Sequence, residues 1–88
     1  MNESLHPQLT PGFRLQWEPA QNAHVLLYPE GMIKLNVSAG EILRRCDGAR
    51  TVPEVVDDLE RAFNTKGLTH DVNDFIAMAT HNGWLKKP

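Results

Sequence analysis

Only one cysteine occurs in the chain, Cys46. No intrachain disulfide can form, and a zinc site would need almost all its ligands from other side chains. A reducing compartment suits such a chain, and the cytoplasm is its expected location. No apolar run approaches the ~18 residues that span a bilayer, and no basic cluster followed by an apolar stretch opens the chain at Met1 to Leu9. Membrane insertion and secretion are not expected, and the surviving Met1 predicts an unprocessed product. Charge of neither sign dominates: nine Lys and Arg stand against eleven Asp and Glu, without the runs that mark nucleic-acid tails or acidic arms. The six glycines never gather into a phosphate-cradling loop. Internal repeats and low-complexity segments are missing as well.

What the chain does have is the composition of a small folded domain, with 41% hydrophobic and 23% charged residues. Its 88 residues allow one hydrophobic core, since domains of this size bury only roughly 60% of the surface of the unfolded chain. Residues 1–12, with Pro7, Pro11 and Gly12 and few apolar partners, read as an extended or flexible arm. Residues 13–88 read as a single domain of α+β class, divided near Asn36 into a strand-like half and a helix-like half.

Phe13, Leu15 and Trp17 alternate with Arg14, Gln16 and Glu18, the period of a strand with one buried face. His24-Val25-Leu26-Leu27-Tyr28 is apolar on both faces, which predicts a central strand. Pro29-Glu30-Gly31 supplies turn residues before Met32 to Val37 resumes the alternation, so a three-stranded meander is expected with its third strand at an edge. Three helix starts follow: Ser38 with Glu41 and Thr51 with Glu54 match capping boxes, and Thr69 precedes Asp71. Gly48, Gly67 and Gly83 are the expected stops. The apolar stripes are Ala39, Ile42, Leu43 and Cys46 on the first helix, and Val52, Val55, Val56, Leu59 and Phe63 on the second. Val72, Phe75, Ile76 and Ala79 form the third stripe, and Met78 lies off it. A three-stranded antiparallel sheet followed by three helices suggests a winged helix-turn-helix.

Catalytic chemistry finds little footing. His6, His24, His70 and His81 never adopt the helical i, i+4 spacing that brings two imidazoles to one metal. Cys46 sits on an apolar stripe, where a cysteine packs as a small hydrophobe. Asp57 and Asp58 read as the polar face of the second helix, and Asp71 and Asp74 occupy the first turn of the third, where negative charge suits the helix dipole. Ser38 reads as a cap with no histidine near it in sequence. No enzyme, metal site or cofactor is expected.

Recognition remains. A DNA reader needs a basic face to displace counterions, yet the third helix has no Lys or Arg and the second offers Arg61 against four acidic residues. An open strand edge is instead a template for an extended peptide. Met32, Lys34 and Asn36 would alternate along that edge, with Met78 on a facing helix. The competing reading is an edge that Lys34 merely guards against unwanted pairing.

The segments Leu26-Leu27-Tyr28-Pro29-Glu30-Gly31, Leu35-Asn36, Glu41-Ile42-Leu43, Cys46-Asp47-Gly48 and Gly83-Trp84-Leu85 together resemble the PqqD family of pyrroloquinoline quinone (PQQ) biosynthesis. The likeness covers about residues 7–87. It implies a non-catalytic peptide chaperone, a recognition element that binds the ribosomally made precursor peptide PqqA and presents it to the radical S-adenosylmethionine enzyme PqqE. It also implies that the peptide adds as a strand beside the third strand, in a cleft closed by the third helix. Carried over by position, the peptide-facing residues are Met32, Ile33, Lys34, Leu35 and Asn36 on the strand. On the helix they are Asp71, Asp74, Phe75, Met78 and Asn82, although the spacing of Phe75 also suits the core. Asn82 stands where relatives often have a basic residue. Arg44-Arg45 and the outer face of the second helix are available to the enzyme. The expected working state is a monomer, with a strand-exchanged dimer possible in crystals. A winged-helix regulator of transcription, a recognition element for another peptide pathway and a small oligomerising module are the alternatives.

Overall fold

The computed structural model describes residues 5–87. Three strands, β1 (Arg14–Glu18), β2 (Ala23–Tyr28) and β3 (Gly31–Lys34), precede three helices, α1 (Val37–Leu43), α2 (Val52–Ala62) and α3 (Thr69–His81). The strands form one antiparallel sheet in the order β1-β2-β3. This is the predicted architecture, with β3 at an edge.

Register explains the core. Leu15, Leu26 and Ile33 stand opposite one another on one face, and the helices pack there around Leu26, Leu43, Val55 and Val72. Val25 and Leu26 point to opposite faces of β2, and both are fully buried, as a central strand apolar on both faces requires. Helix α1 approaches β2 so closely that a Cβ on Gly40 would lie 2.7 Å from His24 Nδ1. Glycine is therefore required at that crossing by space alone.

Several boundaries fall elsewhere than the sequence predicts. Strand β3 ends at Lys34 instead of Val37, because Asn36 caps α1: its side-chain oxygen accepts the Ala39 N–H at 2.8 Å. Ser38 is thus inside the helix, donating to Asn36 Oδ1 at 3.2 Å, and Glu41 is taken up by arginines. The Thr51–Glu54 capping box forms as expected. Thr69 does not cap α3; Leu68 holds the cap position without a side-chain bond, and its N–H donates to Glu60 Oε2 at 2.9 Å. Gly83, with φ of 83°, follows the α3 cap directly. Gly48 and Gly67 lie beyond the helix ends, and Asn64 at φ 50° takes the left-handed position after α2. Trp17 and Phe63, expected on buried faces, are about half exposed; Trp17 packs edge-on against His24 instead.

The segment before β1 is tied down where the structure describes it. Gln8 pairs with Asp47 and Leu9 with Leu85. Three backbone bonds of 2.9 Å join Gly48 N–H to Pro7 O, Thr10 N–H to Trp84 O and Lys86 N–H to Gln8 O.

Arg45 is the one buried charged residue among those described, with 5% of its surface exposed. Its guanidinium donates to Asp58 Oδ2 at 2.5 Å, to Glu41 Oε1 at 2.8 Å and to the Glu41 carbonyl at 2.9 Å. It bolts α1 to α2, so only Arg44 of the Arg44-Arg45 pair stays open to a partner. Asp58, read from sequence as a solvated charge, is half of this link.

Candidate peptide-binding edge and hollow

The backbone of β3 defines the first part of the site. Leu35 donates its N–H to the His24 carbonyl at 3.0 Å, and these residues stand opposite in the register that pairs Val25 with Lys34. Antiparallel pairs alternate between bonded and non-bonded. Ile33 with Leu26 is therefore a bonded pair, while Met32 and Lys34 turn their N–H and C=O groups away from β2. The open edge consists of the main chain of Met32 and Lys34, whose side chains are also exposed.

Immediately after β3 the chain enters the second part. An open hollow of about 740 Å³ lies among the start of α1, the end of α2 and the start of α3. Asn36, Val37, Ser38, Glu41 and Ile42 line one side, Leu59, Phe63 and Thr65 a second, and Leu68, Asp71, Val72 and Phe75 the third. Val37 is 75% exposed and Phe63 48%. Apolar side chains left uncovered around one concavity suit a ligand with an apolar part.

Of the strand and helix residues predicted to face a peptide, Asn36, Asp71 and Phe75 meet at this hollow. Asp71, Phe75, Met78 and Asn82 follow helical spacing, so one face of α3 continues outward from it. On that face Asn82 Nδ2 donates to Met78 Sδ at 3.1 Å, and Phe75 packs on Trp84 with ring centroids 6.4 Å apart. Asp74 is exposed and pairs with His70 at 3.1 Å. Ile33 is half-buried towards the core and Leu35 is 5% exposed, so the side chains of these two are committed to packing.

Val37, expected on the third strand, and Phe63, expected on the core stripe of α2, line the hollow, as does Leu68, to which the sequence assigns no role. The signal for Phe63 was its position at the α2 cap, one turn past Leu59, where an apolar stripe outlasts its helix.

The electrostatics of the hollow are one-sided. Its lining includes Glu41 and Asp71 and no Lys or Arg. Glu41 is ionised but already paired: the hydrogen bond from Arg45 holds its carboxyl below the ordinary range, against the opposing effect of burial. Asp71 has no ion-pair partner among the described residues. Burial pushes the Cys46 thiol up to about 12, which keeps it protonated and unreactive. No cluster of three His, Cys, Asp or Glu side chains suited to a metal occurs among the described residues, and no helix there is long and apolar enough to cross a membrane.

A three-stranded antiparallel sheet followed by three helices, with one strand edge open beside an apolar hollow, is an architecture of winged helix-turn-helix type. The family model for coenzyme PQQ synthesis protein D (PqqD) matches residues 23–85, and the chain belongs to that family. It is 51% identical over 81 residues to a PqqA binding protein of Azotobacter vinelandii, covering 91% of this chain and 88% of that one. A PqqA binding protein of Methylococcus capsulatus is 45% identical over 80 residues, covering 91% and 86%. The fold matches the solution NMR structure of the PqqD truncation of Methylobacterium extorquens PqqCD with a TM-score of 0.74, at 25% identity over 99% of this chain and 94% of that one. That protein is described as a functional, stand-alone recognition element for ribosomally synthesized and post-translationally modified peptides.

Proposed function

We propose that this chain binds the precursor peptide PqqA as an added strand along β3 and presents it to the radical S-adenosylmethionine enzyme PqqE in the cytoplasm. The outward-facing main chain of Met32 and Lys34 is the observation that carries this reading. A strand beside it would gain backbone hydrogen bonds whatever its sequence, while side-chain pockets supply the selectivity. The hollow at Asn36, Asp71 and Phe75 adjoins the end of that edge, and the face of α3 through Met78 and Asn82 extends it. The kinship with PqqA binding proteins supports the identity of the peptide. Delivery to PqqE rests on the family's place in PQQ synthesis.

The reading is tested by titrating the isotopically labelled protein with synthetic PqqA and following its backbone amides by NMR. Saturable shifts concentrated at Met32 to Asn36 and Leu68 to Asn82 are expected. An unchanged spectrum at high peptide excess would remove the chaperone role.

A further inference from the structure

The lining of the hollow is mostly apolar, with two carboxylates, Glu41 and Asp71, among it. Val37 and Phe63, both exposed, line the hollow together with Ile42, Leu59 and Val72, all buried. A space of about 740 Å³ exceeds the needs of one methyl or isopropyl group and admits an aromatic side chain with part of its neighbour. Water filling it makes few hydrogen bonds with such walls, so a large apolar group displaces that water favourably.

The charge at the rim then limits what stands beside that group. Glu41 is held by Arg44 at 3.4 Å and by Arg45 at 2.8 Å, so it offers little net field. Asp71 has no such partner among the described residues. Asp74 lies a turn away, and its own contact is the histidine His70. No lysine or arginine occurs anywhere on α3. An acidic residue placed beside Asp71 would meet its negative charge, and a basic one would find a counter-ion there.

Resting on the strand-addition reading above, we infer that the hollow selects a large apolar, preferably aromatic, side chain of the precursor peptide flanked by a lysine or arginine. Asp71 is the residue that chooses the charge. The edge of β3 binds main chain without regard to sequence, and the hollow is where one peptide is told from another.

The test is a calorimetric titration of synthetic PqqA, and of PqqA variants with single aromatic-to-alanine or Lys/Arg-to-Glu changes, into four proteins. These are the wild type, Phe63→Ser, Asp71→Lys and Lys34→Pro. Both Phe63 and Asp71 are exposed enough for the fold to survive, which circular dichroism verifies. Phe63→Ser is expected to weaken PqqA about tenfold, as loss of an anchoring contact does. Asp71→Lys is expected to weaken it about fivefold, and one Lys/Arg-to-Glu peptide is expected to bind Asp71→Lys better than it binds the wild type. Wild-type affinity in both Phe63→Ser and Asp71→Lys, together with weakened binding in Lys34→Pro, would overturn this inference and leave strand addition standing. If the wild type binds none of the peptides, both fall together.

Discussion

Two extended backbone segments of this protein meet opposite fates. Around Leu85 the chain after α3 is paired by its own N-terminal segment, through Thr10 to Trp84 and Lys86 to Gln8. Along β3 the main chain of Met32 and Lys34 is left open. Unpaired strand edges are hazards that proteins cover, twist or charge. The chain closes one segment with residues 7–10 and leaves the other guarded by a single lysine side chain. The contrast separates stability from recognition: one region holds the fold together, and the other is kept available.

Perturbing the closed region should cost the most. Leu85 is 1% exposed within the core, so Leu85→Ala is expected to lower unfolding free energy by about 3 kcal/mol in a denaturant titration. A much smaller loss would mean that the docked segment contributes little to the fold.

Breaking the bolt between α1 and α2 comes next. Arg45→Ala is expected to cost about 2 kcal/mol, less than for a fully buried ion pair because Glu41 and Asp58 keep some contact with water. Hydrogen bonds from Arg45 hold the carboxyls of Glu41 and Asp58 below their usual range. A lowered folded-state pKa adds stability above the unfolded value and loses it as pH falls through the folded one. Wild-type stability should therefore decline below about pH 4, and Arg45→Ala should show a shallower acid decline. Parallel pH profiles would contradict the assignment.

The smallest effect on stability is expected at the open edge. Lys34→Pro removes an N–H that points away from β2 and has no partner in the sheet, so stability should change by less than about 0.5 kcal/mol. Peptide affinity should fall at least about tenfold. Ile33→Pro, one residue earlier, removes a sheet bond and should unfold the hairpin. Equal losses of stability and affinity in Lys34→Pro would erase the distinction between the two regions.

Much of this fold is legible in the residues because its cues are local. Alternation gives β1, a run apolar on both faces gives β2, Thr51 with Glu54 gives the start of α2, and Gly83 marks the end of α3. Boundaries shift where two local signals compete. Asn36 continues the alternation of β3 and is also a good cap, and capping prevailed, which carried Ser38 and Val37 into the helix. Phe63 continues the stripe of α2 by spacing, yet the helix ends at Ala62 and releases it to the surface.

The open edge could be read from strand order alone. The hollow could not, since it joins the first turn of α1, the last of α2 and the first of α3, which only tertiary packing brings together. The link from Arg45 to Asp58, thirteen residues apart, was hidden for the same reason. Of the residues carried over by resemblance, Asn36, Asp71 and Phe75 gather at the hollow, while Ile33 and Leu35 turn inward because alternation assigns them to the core.

Amide hydrogen exchange at β3, with and without synthetic PqqA, tests the central claim most directly. In the free protein the amides of Met32 and Lys34 should exchange fast while those of Ile33 and Leu35 are protected. Bound peptide should slow Met32 and Lys34 and leave Ile33 and Leu35 little changed. Saturable binding that leaves Met32 and Lys34 exchanging as fast as before would contradict strand addition at this edge.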